Sequence, residues 1–278
     1  MIRMQPLITI VTVVLNDAEG FRKTARSVIA QDYPRLEFRV VDGGSTDGTL
    51  KELERFSGHI SSWTSGPDAG IYDAMNKGAL LAAGDWVLFL NAGDVLTGPS
   101  VLSEMFARDH GDAGIVYGDA IAAYPRFRVL QKAHTPVEGW KGMPFCHQSA
   151  FFRTGLVREF PFTSGYAIAG DFDQVYRILL QGIRYEYLPV PVSLYDASGV
   201  SNRRHLRSWR ERFAVYWKNG PVSLHGLLFY SALFIIFAGT AAAYLLLPSK
   251  QIERLIRWRE REGIAAAEKI MNTDTEAK

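Results

Sequence analysis

The chain has 278 residues, of which 47% are hydrophobic and 22% charged, and its formal net charge is +2. That length suits one large domain, or one domain with an appendage. The one cysteine, Cys146, excludes an intrachain disulfide framework and favours a reducing compartment. The near-neutral charge and the lack of a recognition motif argue against a nucleic-acid partner.

The first part of the chain alternates strand and helix patterns. The apolar run at residues 7–15 is short and rich in β-branched residues, which favours a strand over a signal peptide. A helical pattern follows, with Phe21, Ala25, Val28 and Ile29 on one face, and residues 38–41 form a second apolar strand. Strand, helix and strand at this spacing predict a parallel pair with a right-handed crossover. The ends of the first two strands should therefore lie side by side.

An acidic, glycine-rich turn at residues 42–49 follows the second strand. Asp42, at the strand end, is suited to bind a ribose hydroxyl or a base edge. The alternative is a turn that only caps the helix beginning at Thr49. The glycine spacing matches neither the dinucleotide fingerprint nor the phosphate loop of nucleotide triphosphatases.

A further apolar run, residues 86–90, is bounded by Gly84-Asp85 and Gly93-Asp94, as is typical of a central parallel strand. In open α/β sheets, ligands bind outside the carboxyl ends of the strands, so Asp94 stands where a ligand would bind. Its oxygens suit Mg²⁺ or Mn²⁺, cations that often share ligands with substrate phosphates. The alternative is that Asp94 caps the next turn.

Four motifs in order, at residues 12–16, 42–49, 65–78 and 90–94, resemble family 2 glycosyltransferases of the GT-A fold. The chain looks most like the bacterial branch that builds exopolysaccharides, colanic acid among them. The resemblance covers roughly residues 5 to 200. It implies a Rossmann-like α/β domain with a mostly parallel central sheet flanked by helices. It also implies an inverting transfer from a UDP- or GDP-sugar, helped by Mg²⁺ or Mn²⁺.

The resemblance also implies the roles of individual residues. The residues implied in nucleotide-sugar binding are Thr12, Val14, Asn16, Asp42, Ser45, Asp47, Gly66, Asp68, Lys77, Asn91 and Ala92. Metal binding is carried over to Asp94 alone, because Asn91 and Gly93 stand where the family's metal motif usually has acids. For Lys77 the alternative is an ion pair with Asp73, one helical turn earlier.

The catalytic base implied by the resemblance is Asp171, the second position of an acidic pair before a helix. An inverting displacement needs a carboxylate on the acceptor side to take the proton of the attacking hydroxyl. Asp173 points away from Asp171 on a helix, so we expect it to be a cap or a support. His147, in a His-Gln pair, is assigned to the acceptor side, where it would contact a phosphate or a sugar hydroxyl. The alternative for His147 is a core histidine.

The C-terminal region has the composition of a membrane-associated segment. Residues 204–219 interleave arginines with aromatic residues, and no charged residue occurs from 219 to 249. The run at residues 227–247 is long enough to span a bilayer, although a buried core helix is the alternative. Residues 251–262 form a basic amphipathic pattern suited to an anionic surface. Because arginines flank the run on both sides, a full span and a helix dipping into one leaflet both stay open.

We therefore predict a GT-A glycosyltransferase domain at residues 1–220 and membrane-associated helices at residues 221–278. The predicted reaction moves a sugar to a lipid-linked glycan acceptor at the cytoplasmic face of the inner membrane, in cell-surface polysaccharide biosynthesis. The alternatives are transfer directly to polyprenyl phosphate, or a non-catalytic nucleotide-sugar-binding membrane scaffold. The scaffold is suggested only by the single acid of the metal motif.

Overall fold

The computed structural model describes residues 5–136, 138–197 and 204–276. Its strands are β1 (Ile8–Val14), β2 (Leu36–Asp42), β3 (Ser62–Ser65), β4 (Trp86–Phe89), β5 (Val95–Leu96), β6 (Ile115–Tyr124), β7 (Phe127–Gln131), β8 (Ala150–Arg153) and β9 (Tyr185–Asp196). Its helices are α1 (Ala18–Ile29), α2 (Thr49–Phe56), α3 (Ile71–Leu81), α4 (Val101–Met105), α5 (Thr154–Glu159), α6 (Gly170–Leu179), α7 (His205–Asn219), α8 (Leu224–Leu246), α9 (Ser249–Arg259) and α10 (Arg261–Glu276). The predicted α/β class is confirmed.

The first four strands form the parallel half of a single sheet. Their order is β3-β2-β1-β4, and all three pairings are parallel. Val14 pairs with Asp42, and Asp42 pairs with Ser65, so these strands end at one edge of the sheet. The side-by-side strand ends predicted from the sequence are confirmed.

The other half of the sheet is mixed. β8 lies antiparallel between β4 and β6, β7 is antiparallel to β6, β9 is parallel to β6, and β5 is antiparallel to β9. The sequence did not predict β8, a strand of four residues. Because β8 pairs with β4, the one-turn helix that precedes it, His147–Ser149, lies near the carboxyl end of β4.

The C-terminal helices pack on one another and on the sheet domain. α7 and α8 form an antiparallel pair, in which the Trp209 indole Nε1 donates to the Tyr230 carbonyl oxygen (2.9 Å). α10 then returns to β7, where Ala267 is fully buried. The backbones approach so closely that a Cβ on Gly263 would lie 2.7 Å from the Val129 side chain and 2.9 Å from the Leu130 carbonyl oxygen.

Candidate active site

A cleft of about 980 Å³ lies at the carboxyl end of β4. Its walls include the turn after β4, the loop before β8, the start of α6, and residues of α7 and α8. Five residues predicted from the sequence line it: Asn91, Ala92, Asp94, His147 and Asp171. The predicted metal ligand and the predicted base therefore face the same space.

The turn that carries Asp94 is held in place by Thr24 of α1. The Thr24 hydroxyl donates to the Asp94 carbonyl oxygen (2.6 Å) and accepts from the Gly93 N–H (3.0 Å). Gly93 has a φ of 95°, in the left-handed region that favours glycine. The Asn91 side-chain oxygen is buried and has no hydrogen-bond partner among the described residues.

Asp94 is only 9% exposed, and among the described residues its carboxyl group accepts one hydrogen bond, from the Gln148 amide Nε2 (3.2 Å). Burial raises its pKa to about 7; the Gln148 bond opposes this shift, and the charge of Asp196 adds to it. A carboxylate with so few donors is stabilised by a nearby cation.

The described residues contain no group of three or more His, Cys, Asp or Glu side chains that could hold a metal. Two oxygen donors, Asp94 and Asn91, still fit a hard divalent cation that takes its other ligands from phosphates.

At the end of β2, Asp42 organises the loop that follows this strand. Its Oδ2 accepts from the Gly44 N–H (3.1 Å), the Ser45 N–H (3.0 Å) and the Ser65 hydroxyl (2.6 Å). The Oδ1 atom is buried and without a partner in the described part of the chain. The Ser45 hydroxyl in turn accepts from the Asn16 N–H (2.7 Å), so β1 and β2 are joined at their ends.

Two other predicted donor-site residues belong to the same group of strand ends. The Gly66 N–H donates to the Asp42 carbonyl oxygen (3.1 Å), and the Asp68 carboxylate accepts from the Gly70 N–H (2.8 Å). A Cβ on Gly43 would lie 2.5 Å from an Asp68 oxygen, so this pair of loops is in close contact. Asn16, Asp42, Ser45, Gly66 and Asp68 thus cluster at one edge of the sheet.

The remaining four predicted donor-site residues already have structural roles. The Thr12 hydroxyl is buried and donates to the Leu90 carbonyl oxygen (2.7 Å), and the Val14 side chain is buried. Asp47 accepts from the Thr49 N–H (2.8 Å) and so caps α2. Lys77 pairs with Asp73 (2.9 Å), which is the alternative that the sequence left open. Donor binding by any of these residues stays a prediction.

The two carboxylates of α6 have different surroundings. Asp171 is half-buried, lines the cleft, and its Oδ1 accepts from the Phe172 N–H (2.8 Å) and the Tyr72 hydroxyl (3.3 Å). Asp173 is fully buried. It accepts from the Thr163 hydroxyl (2.5 Å), the Arg177 Nε (2.9 Å) and the Asn219 amide (3.1 Å). Asp173 therefore ties α6 to α7, which fits the expected supporting role.

His147 is buried in an aromatic environment. Its ring lies 5.4–5.5 Å from those of Phe89, Phe152 and Phe162. Burial lowers the pKa of the imidazole, although the charge of Asp171 acts in the opposite direction. The Nε2 atom has no hydrogen-bond partner within the described residues. The ring packs as a core histidine does, and it also reaches the cleft.

A carboxylate that the sequence did not single out holds the loop before Asp171. The Glu211 Oε2 of α7 accepts from three consecutive backbone N–H groups, those of Ala167 (3.1 Å), Ile168 (2.8 Å) and Ala169 (3.0 Å). Its Oε1 accepts from the Arg207 Nε (2.8 Å). Burial alone would raise the pKa of Glu211, but these donors outweigh it and the pKa is lowered.

The sequence and the fold are similar to those of known enzymes. The model of Glycosyl transferase family 2 matches residues 9–170. The chain is 31% identical over 215 residues to the PGL/p-HBAD biosynthesis glycosyltransferase of Mycobacterium bovis, covering 71% of this chain and 80% of that protein. It is 30% identical over 214 residues to an uncharacterized glycosyltransferase of Mycobacterium tuberculosis, with 72% and 78% covered.

Two solved structures are similar in fold. The mannosyltransferase PcManGT of Pyrobaculum calidifontis, in complex with GDP-Man and Mn²⁺, has a TM-score of 0.64 at 20% identity, covering 92% of this chain and 80% of that one. TarS of S. aureus in complex with UDP has a TM-score of 0.61 at 17% identity, covering 90% and 78%. The protein is therefore a glycosyltransferase with the GT-A fold. It belongs to Glycosyl transferase family 2.

Replacing Glu211 with alanine should loosen the loop that precedes Asp171. Three N–H groups and Arg207 would lose a buried acceptor, so the free energy of unfolding should fall by about 3 kcal/mol. Hydrogen exchange at the amides of residues 167–169 should become faster. The control is Glu19→Ala, because Glu19 is an exposed partner of Lys23. Unchanged exchange at these amides in Glu211→Ala would contradict this role.

Proposed function

We propose that this glycosyltransferase moves a sugar, with inversion, from a UDP- or GDP-sugar to a lipid-linked glycan acceptor. The proposed setting is the cytoplasmic face of the inner membrane, in bacterial cell-surface polysaccharide biosynthesis. The observation that carries the proposal is the single cleft lined by both Asp94 and Asp171. The fold neighbours that hold GDP-Man with Mn²⁺, or UDP, support a nucleotide-sugar donor. Membership of the exopolysaccharide or colanic-acid branch stays a prediction.

Asp171 is the proposed base. Its Oδ1 is engaged by Tyr72 and Phe172, so Oδ2 is the oxygen left to take the proton of the acceptor hydroxyl. The acceptor oxygen forms a bond to the anomeric carbon while the bond from that carbon to the diphosphate oxygen breaks. The proton passes to Asp171, and the electron pair leaves with the nucleotide diphosphate. No second carboxylate is needed as a nucleophile, unlike in a retaining glycosidase.

The chain's own residues also prepare the leaving-group side. Mg²⁺ or Mn²⁺, when held by Asp94 and Asn91, would neutralise charge on the departing diphosphate. Thr24 fixes the turn that carries both residues, so neither has to reorganise during the reaction. Gln148 donates to the Asp94 carboxylate and keeps it oriented.

The membrane proposal rests on α8. This helix has 23 residues with a mean hydropathy of 1.9, and it is the one helix of the described chain long and apolar enough to cross a bilayer. Much of its surface is open to solvent. Its most exposed large apolar residues are Leu224, Leu228, Ile235, Ile236, Leu245 and Leu246.

The packing of α8 favours immersion from one side over a full span. α7 runs beside it, with ring contacts between Tyr216 and Tyr230 (4.9 Å), Trp209 and Phe234 (4.9 Å), and His205 and Tyr244 (5.2 Å). A spanning α8 would draw the arginines of α7 into the hydrocarbon, which is costly. The chain after α8 also returns to the sheet domain, where Arg257 donates to the Arg126 carbonyl oxygen (3.1 Å). Both flanks of α8 would then lie on the same side of the membrane.

The raised pKa of Asp94 predicts a pH-dependent metal affinity. Below about pH 7 the proton must leave before the carboxylate binds Mn²⁺, so the affinity should rise up to about tenfold per pH unit and then level off above pH 7. The measurement is Mn²⁺ titration of the full chain from pH 5.5 to 8.5, by electron paramagnetic resonance. Asp94→Asn should bind Mn²⁺ weakly and lose the pH dependence. Equal binding by this variant would contradict the assignment.

Asp171→Asn keeps the shape of the side chain and removes the proton acceptor. Turnover should fall by about 10²- to 10⁴-fold, while the dissociation constant for the donor stays near that of the wild type. Asp173→Asn is the matched control, and it should affect stability more than turnover per folded molecule. An inactive Asp173→Asn beside an active Asp171→Asn would reverse the assignment. If both variants stay active, the base is another residue, with His147 the first to test.

Membrane binding should depend on the exposed face of α8. Ile235 is 71% exposed, and Ile235→Glu should lower the fraction of protein that sediments with anionic phospholipid vesicles, because a charge opposes burial in lipid. Leu80→Glu on α3 is the control, since Leu80 is 70% exposed and lies on the sheet domain. Equal sedimentation of the two variants and the wild type would place the membrane contact elsewhere.

A further inference from the structure

One wall of the cleft comes from the C-terminal helix pair. Three side chains on a single face of α7, those of His205, Ser208 and Arg212, line the cleft at spacings of three and four residues. Phe237 of α8 lines it beside them. The helices with the exposed apolar surface therefore also form part of the active-site wall.

Arg212 lies in this wall without a counter-charge. Among the described residues it has no carboxylate partner and no hydrogen bond, and its Nε is buried. Its guanidinium carbon lies 5.3 Å from the centre of the Phe172 ring. A Cβ on Gly142 would lie 2.2 Å from Nη2, so the glycine leaves room for the guanidinium. Glu211, the nearest carboxylate along α7, is occupied by Arg207 and the loop before α6.

The surroundings become apolar further along this wall. The His205 ring lies 5.2 Å from the Tyr244 ring and 6.2 Å from the Phe237 ring. Its Nε2 is buried and has no partner in the described chain, and burial lowers the pKa of the imidazole. The wall thus has a cationic end at Arg212 and an aromatic end at α8.

We infer that this wall binds, through Arg212, the phosphate that joins the lipid to the glycan in a lipid-linked glycan acceptor, with the lipid chain passing His205 and Phe237 towards the exposed face of α8. A planar guanidinium matches phosphate geometry with two parallel hydrogen bonds. The inference rests on the proposed function, and it narrows the acceptor to a lipid that carries phosphate.

The position of Arg212 fits the acceptor better than the donor. It stacks on Phe172, the residue after the proposed base. The predicted donor residues instead cluster at the ends of β1, β2 and β3, with Asp42 at their centre. The cleft is also lined by the carboxylates of Asp17, Asp94, Asp171 and Asp196. Asp171 directly precedes Phe172 at the start of α6, and its Oδ1 is turned to the Phe172 N–H and the Tyr72 hydroxyl.

The test is direct binding of farnesyl phosphate to the full chain in detergent micelles, by equilibrium dialysis, with farnesol as the uncharged probe. Arg212→Gln should weaken farnesyl phosphate binding at least about tenfold and leave farnesol binding unchanged. Arg210→Gln is the matched control, because Arg210 is an exposed arginine of the same helix, and it should bind like the wild type. Arg212→Lys should recover part of the loss.

Three results would overturn the inference. Equal weakening by Arg210→Gln and Arg212→Gln would indicate general charge attraction. Equally tight binding of farnesol and farnesyl phosphate to the wild type would indicate a neutral acceptor. Displacement by inorganic phosphate at the same concentration as farnesyl phosphate would indicate a site for free phosphate. Turnover of a nucleotide sugar is measured separately, so failure of the proposed function does not alter the outcome of this binding test.

Discussion

The carboxylate of Glu211 reaches from α7 to three successive backbone N–H groups of the loop before α6. Burying a charge is costly unless donors replace the lost water, and Glu211 has these three donors and Arg207. Asp171 follows the bound loop directly, so its position depends on where α7 lies. α7 is in turn fixed by its aromatic contacts with α8 and by the bond from Asn219 to Asp173. The position of Asp171, the proposed base, thus depends on the packing of α7 and α8, the helices with the exposed apolar surface.

Two buried carboxylates of this protein differ in what stabilises them. Glu211 is surrounded by donors, so its pKa is lowered and it is a structural anion. Asp94 has one long hydrogen bond from Gln148, and burial raises its pKa to about 7. A carboxylate left so poorly solvated gains most from a cation, which is why perturbed groups of this kind often mark functional sites. The balance between burial and hydrogen-bond donors therefore distinguishes Glu211, a supporting residue, from Asp94, a candidate metal ligand.

The sequence predicted three of the four strands of the parallel half, β1, β2 and β4, because their signals are local. Apolar runs followed by polar turns identify these strands, and parallel connections bring their ends together. β3, Ser62–Ser65, was not predicted. The sequence did not predict β8 either, since three apolar residues before Arg153, without alternation, do not distinguish a strand from a helix. The sequence also did not predict that Glu211 holds the loop before α6 or that Arg212 lines the cleft, because an arginine-rich helix pattern does not tell which side chains face the protein. The amphipathic tail was assigned to an anionic surface, yet Ile256 and Ile264 pack on the cluster around Phe127 and Val129.

We propose that Asp171 activates an acceptor hydroxyl for a single displacement in the cleft that it lines together with Asp94. A single displacement inverts the anomeric centre, whereas a covalent intermediate would retain it. The deciding measurement is the one-bond C1–H1 NMR coupling constant at the anomeric position of the product formed from an α-linked nucleotide sugar. A single displacement predicts a β-linked product. An α-linked product would contradict it.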